Sequence, residues 1–123
     1  MITMNNPKYV ISDSPFESLH RFADGSWAYY FDRQSHEELY KHMNDSNQEI
    51  KTVYMAIQIL SNSKPTYKEC VEKIIRLYLS SSEEFDLINS AYQGDDKEYK
   101  EWLNKVAEIK KYVKNDFENE EIN

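Results

Sequence analysis

The side chains of this chain that are able to do chemistry are three histidines, one cysteine and a large set of carboxylates. His36 and His42 stand in the run HEELYKH. On a helix, a six-residue separation turns them about 120° apart, so they do not share a face. The helical zinc-protease pattern would need histidine where Tyr40 stands. Glu38 and His42 do share a face at i,i+4 and read as a solvated helix pair. His20 falls in an expected hairpin and reads as a cross-strand packing or hydrogen-bonding residue. No catalytic residue, metal ligand or cofactor-binding residue is expected from these groups.

Cys70 lies on an apolar stripe beside Glu69 and Glu72. A nucleophilic thiolate needs exposure and positive surroundings, so this cysteine reads as core. Ser80, Ser81 and Ser82 lack a glycine-flanked elbow and a matched base, and their place before Glu83 and Glu84 is explained by capping. The carboxylates gather at helix starts: Glu83, Glu84 and Asp86 at one, Asp95, Asp96 and Glu98 at the next. Acidic residues in a first turn complement the helix dipole. No DxDxDG spacing marks a calcium loop. The sharper reading is a negative surface, continued by Asp116, Glu118, Glu120 and Glu121, that meets a basic partner.

Elements must position these groups. A Ser, Thr or Asp followed three residues later by Glu opens a helix by exchanging side-chain and backbone hydrogen bonds. The pattern occurs at Ser35 with Glu38, Ser46 with Glu49, Thr66 with Glu69, Ser81 with Glu84, and Asp95 with Glu98. Each precedes an apolar stretch of helical period, which predicts five helices over 36–44, 47–61, 67–80, 83–92 and 96–114. The first carries Leu39, Tyr40 and Met43. The second lines up Ile50, Val53, Tyr54, Ile57 and Leu60. The third carries Cys70, Val71, Ile74 and Ile75 and is expected to be the most buried. The fourth places Phe85, Ile88 and Tyr92 on one face and ends at Gly94, a left-handed cap. The fifth aligns Trp102, Leu103, Val106, Ile109 and Val113. The acidic tail, 115–123, is expected to fray.

The first 34 residues read differently. Residues 8–12 read as a strand. Asp24-Gly25 between SLHRF and SWAYYF predicts a hairpin over 17–32, which the strand at 8–12 can join. A two-residue type I′ turn would set Phe22 beside Trp27 and His20 beside Tyr29. Ser14 and Pro15 also form a helix opening, which leaves 15–23 open between helix and strand. The predicted class is α+β, predominantly helical, in a single domain over 1–123.

Composition narrows function. With 123 residues and one cysteine, the chain can bury a core without disulfides. Two glycines rule against a phosphate-cradling loop. The net charge of −7, with arginine only at positions 21, 33 and 76, argues against direct nucleic-acid binding. The N-terminal residues lack a basic, then apolar, leader, and no segment reaches the roughly 20 apolar residues of a membrane span, so a cytoplasmic protein is expected. Ten tyrosines and two tryptophans exceed what five helices need as filler. Tyrosine and tryptophan are enriched at interfaces. The expectation is therefore a small, acidic, non-enzymatic protein that binds another protein through aromatic and acidic side chains. The candidates are Trp27, Tyr29, Tyr30, Glu83, Glu84, Asp86, Asp95 and Asp96. Size and charge fit an inhibitor, immunity or antidefence (anti-CRISPR-like) protein of a bacterial mobile element. The alternatives are a small enzyme or ligand-binding domain with a pocket between the β element and the helices, and a dimeric regulatory domain, a homo-oligomer that pairs through the fifth helix.

Overall fold

A computed structural model describes residues 2–41 and 48–121. The element order is β1 (Tyr9–Ser12), β2 (Leu19–Arg21), β3 (Trp27–Lys41), β4 (Gln48–Ser61), α1 (Tyr67–Tyr78), α2 (Ser81–Tyr92) and α3 (Lys97–Glu121). The chain divides into a sheet unit, 8–63, and a helical unit, 1–7 with 64–123.

In the sheet unit, four antiparallel strands run in the order β1-β4-β3-β2. This corrects the predominantly helical expectation. The helices predicted at 36–44 and 47–61 are strands: β3 runs straight through Ser35 and Glu38, and β4 occupies the second segment. The capping pattern at Ser46, together with His42 and Met43, lies outside the described residues. The stretch VYMAIQIL, 53–60, accounts for the difference. It satisfies a helical stripe, but it is nearly apolar throughout, as befits a strand buried on both faces. Register puts Tyr29 opposite Ile59 and Phe31 opposite Ile57 on one face, all buried. On the other face Ala28, Tyr30 and Ala56 form a small core against Val10, Phe16 and Phe22.

The Asp24-Gly25 reversal occurs with a different turn. The Phe22 and Ser26 backbones pair, leaving a three-residue loop, and Gly25 takes φ +90°. A type I′ turn needs positive φ at Asp24 as well. Instead the Asp24 carboxylate accepts from the Ser26 hydroxyl and N–H at 2.6 and 2.9 Å, which closes a side-chain turn. These bonds, the hydroxyl's first, lower the Asp24 pKa. The register moves by one, so Arg21 faces Trp27, His20 faces Ala28 and Leu19 faces Tyr29. Residues 19–21 are strand, and β1 joins the sheet along β4.

A β-bulge interrupts β3 between Phe31 and Gln34. Asp32 adopts φ +54°, and its carboxylate accepts hydrogen bonds from the Tyr9 hydroxyl and from Gln34 Nε2. The extra residue exchanges the faces: even-numbered Gln34 and His36 take the side held earlier by Tyr29 and Phe31. Asp32→Gly is expected to cost about 1 kcal/mol, the loss of these bonds less the relief of positive φ, and Asp32→Ala about 1 kcal/mol more. Urea unfolding of both, beside Tyr9→Phe, separates the backbone part from the hydroxyl part. Equal stability of the glycine and alanine variants would show that positive φ carries no strain here.

The helical unit starts from true caps. Thr66 accepts from the Glu69 N–H at 3.2 Å and opens α1. Its buried residues are Cys70, Val71, Ile74 and Ile75. The box at the start of α2 is Ser80 with Glu83, one residue earlier than the sequence pattern placed it. Gly94, at φ +106°, ends α2: its N–H donates to Ala91 and the Asp95 N–H to Ser90, which closes the last turn. α3 buries Trp102, Ile109 and Val113 and continues through the acidic segment to Glu121, with Phe117 edge-on to Tyr67 at 6.3 Å. Among the described residues, no helix is long and apolar enough to cross a membrane.

Candidate protein-binding surface

α2 buries no residue. Its half-buried positions are Glu84, Leu87 and Ala91, spaced as one helical stripe. The more apolar stripe, Phe85, Ile88 and Tyr92, lies about 100° further round the helix and is 63, 45 and 92 % exposed. An amphipathic helix normally turns such a stripe into its own core. α2 is held in this rotation by a polar anchor. The Glu84 carboxylate accepts from Trp102 Nε1 at 2.8 Å through one oxygen, and from Arg76 at 3.1 Å through the other. Arg76 also donates to the Leu79 carbonyl at 3.2 Å, which ties the end of α1 into the same network.

The exposed stripe does not stand alone. Ile88 also lines a groove of ≈ 440 Å³ with Val71, Tyr99, Leu103 and Val106, and Lys68 and Lys110 stand on its border. Leu103 is itself exposed. Apolar side chains of α2 and α3 therefore form one surface inside the helical unit.

The sequence-derived candidates divide between interior and surface. Tyr29 is wholly buried and Tyr30 nearly so, while Trp27 is half-buried. Neither face of the aromatic run is wet at Tyr29 and Tyr30. Glu83 is exposed and caps α2; Glu84 faces inward as the anchor. Asp86 and Asp95 are exposed, and Asp96 pairs with Lys100 at 3.1 Å. The acidic candidates thus lie in the helical unit, most of them exposed, while the two tyrosines lie inside the sheet unit. Phe85, Ile88 and Tyr92 were visible in the sequence as a stripe, and only their direction was missed.

Among the described residues, the groups able to do chemistry do not converge. His36 Nε2 lies 2.7 Å from Glu38 Oε1 on the exposed arm of β3, and His20 Nδ1 lies 3.7 Å from Glu17. Among the described residues, no three of His, Cys, Asp and Glu are placed to hold a metal ion. Cys70 is buried, and its thiol pKa is pushed up to about 12 by that burial and by the Glu69 carboxylate. No protein-family model, curated protein or solved structure matches the chain.

Proposed function

We propose that this chain is a non-enzymatic protein-binding protein whose docking surface is the outward face of α2. The observation that carries the reading is the orientation of Phe85, Ile88 and Tyr92, whose exposure exceeds that of the polar anchor behind them. Contiguous exposed apolar surface marks interaction sites, and burying one such aromatic side chain is worth about 1.5–3 kcal/mol. Glu83, Asp86 and Asp95 are exposed in the same helical unit, and the chain carries a net charge of −7, so the partner that fits is a protein with an apolar groove and Lys or Arg around it. Small size and a net charge of −7 support, within this class, an inhibitor or immunity-type role against a basic target.

The test is capture of partners from the native host or its competitor by the wild-type chain and by a Phe85→Ser, Ile88→Ser, Tyr92→Ser variant. Binding of the captured partner is expected to weaken at least about 100-fold in the variant, the scale of two hot-spot residues. Stability should change by about 1 kcal/mol or less, because these side chains are exposed. Charge reversal of Glu83, Asp86 and Asp95 should slow association and reduce its salt dependence. Undiminished capture by the serine variant would remove α2 as the docking surface.

A further inference from the structure

The far part of the β3–β4 pairing is a ribbon of two strands. β1 reaches β4 only over 54–57 and β2 reaches β3 only over 27–29, so among the described residues no third strand lines 34–41 or 48–53. A two-stranded ribbon is marginal in water, and the N–H and C=O groups along its edges form a template for another strand. The ribbon also carries apolar surface. Leu39 and Ile50 are directly opposed across the two strands and are 62 and 65 % exposed. Alternation puts Ile50 on the same face of β4 as Ala56, where the small core of the sheet unit sits.

We propose that the outer edge of β4 over 48–52 pairs antiparallel with the same edge of a second copy of this chain, about a two-fold axis at Ile50. Residues directly opposite one another in an antiparallel pair share a face. Ile50 therefore meets Ile50 of the second copy, and Leu39 of each chain extends that contact into an apolar row across both ribbons. On the reverse face Glu49 meets Lys51 of the second copy, and Lys51 meets its Glu49. Glu38 stands beside Lys51 within the ribbon, so the row alternates in sign: Glu38, Lys51, then Glu49 of the second copy. These side chains are exposed. A carboxylate accepts several hydrogen bonds and an ammonium donates several, so contacts within a ribbon and between copies add.

The charge pattern also selects the register. Centring the axis on residue 49 or 51 opposes two glutamates or two lysines, and moving it by half a step sets Ile50 against Glu49 or Lys51. The Ile50-centred register alone among these matches both charge and apolar surface. Lysine on an open edge deters strands of other sequence, whereas here it faces a carboxylate. The β3 edge lacks this match: its side chains over 34–39 include Glu37 and Glu38 but no lysine or arginine. β1 ends opposite Tyr54 and leaves 48–52 clear. The contact is small, so the dimer is weak and concentration-dependent.

Sedimentation equilibrium of the full chain, from micromolar to near-millimolar concentration, is expected to show monomer and dimer in exchange. The α2 serine variant should dimerise as the wild type does, which separates this contact from the docking surface. Glu49→Lys and Lys51→Glu should each weaken the dimer at least about tenfold, since both pairs between copies become like-charged. An equimolar mixture of those two variants should associate at least about tenfold more tightly than either alone, because every lysine again faces a glutamate. A folding defect would not be repaired by mixing. A wild-type chain that stays monomeric throughout, single variants that dimerise like the wild type, a mixture no tighter than its components, or loss of the dimer in the α2 serine variant overturns the proposal.

Discussion

Trp102→Ala is expected to cost about 3–5 kcal/mol of unfolding free energy, the largest effect of any substitution in the helical unit. The indole is 1 % exposed, and it is the largest side chain wholly buried. Its loss empties core volume and also removes the Nε1–H that fixes Glu84. α2 has no buried residue of its own, so its orientation depends on that anchor. The variant should therefore lose amide-exchange protection in α2 at lower denaturant than in α1. Glu84→Ala leaves the indole N–H without its acceptor and should cost about 1–3 kcal/mol. Glu84→Gln keeps an acceptor for Trp102 and should fall between that variant and the wild type. Urea unfolding measures all three. A Trp102→Ala cost under about 1 kcal/mol would mean that α2 is held by something other than this network.

Alkaline pH should destabilise the chain through Cys70. Its thiol pKa rises from 9.0 to about 12, first because burial disfavours the thiolate and then because Glu69 is close, with Lys73 opposing. Below pH 9.0 the thiol is protonated in both folded and unfolded chains, and the stability is fully present. Between pH 9.0 and about 12 the unfolded chain gives up that proton and the folded chain keeps it, so stability falls as pH rises. The slope from this one group approaches about 1.4 kcal/mol per pH unit. The measurement is the difference between wild type and Cys70→Ala, which isolates this one group. The two denaturation curves should run parallel below pH 9.0 and diverge above it. Native protein should also resist iodoacetamide at pH 8 and react once unfolded in urea. Rapid alkylation of the native chain would contradict the burial of this thiol.

How far the fold was legible depends on the range of the interaction that decides each element. Thr66 with Glu69 is a local exchange, and the α1 start is legible from it. The Gly94 end of α2 is legible for the same reason, since positive φ at one residue closes the turn. Ser35 with Glu38 has the same local pattern and still lies in a strand, because the β3 and β4 pairing satisfies those backbone groups across the sheet. The β-branched content of β4 was the available signal against a helix: Ile50, Thr52, Val53, Ile57 and Ile59 all favour extended structure. The bulge at Asp32 had no such signal, and without it the facing of every later residue in β3 is misassigned.

The binding surface divides along the same line. Amphipathic period identifies Phe85, Ile88 and Tyr92 as one face from the sequence alone. It says nothing about whether that face meets a core, since the answer depends on side chains far along the chain. Trp102 and Arg76 decide it by drawing Glu84 inward.

The amino-acid sequence by itself determined the features that close within four or five residues: the Thr66 cap, the Gly94 end of α2, the reversal at Asp24-Gly25 and the apolar stripe that holds Cys70. The tertiary structure alone decided that 36–41 and 48–61 pair as strands, that Tyr29 and Tyr30 are interior, and that the apolar face of α2 is outward. Local hydrogen bonds fix backbone direction through neighbouring atoms. Burial of a face is set by whichever distant segment reaches it, and no local spacing encodes that partner.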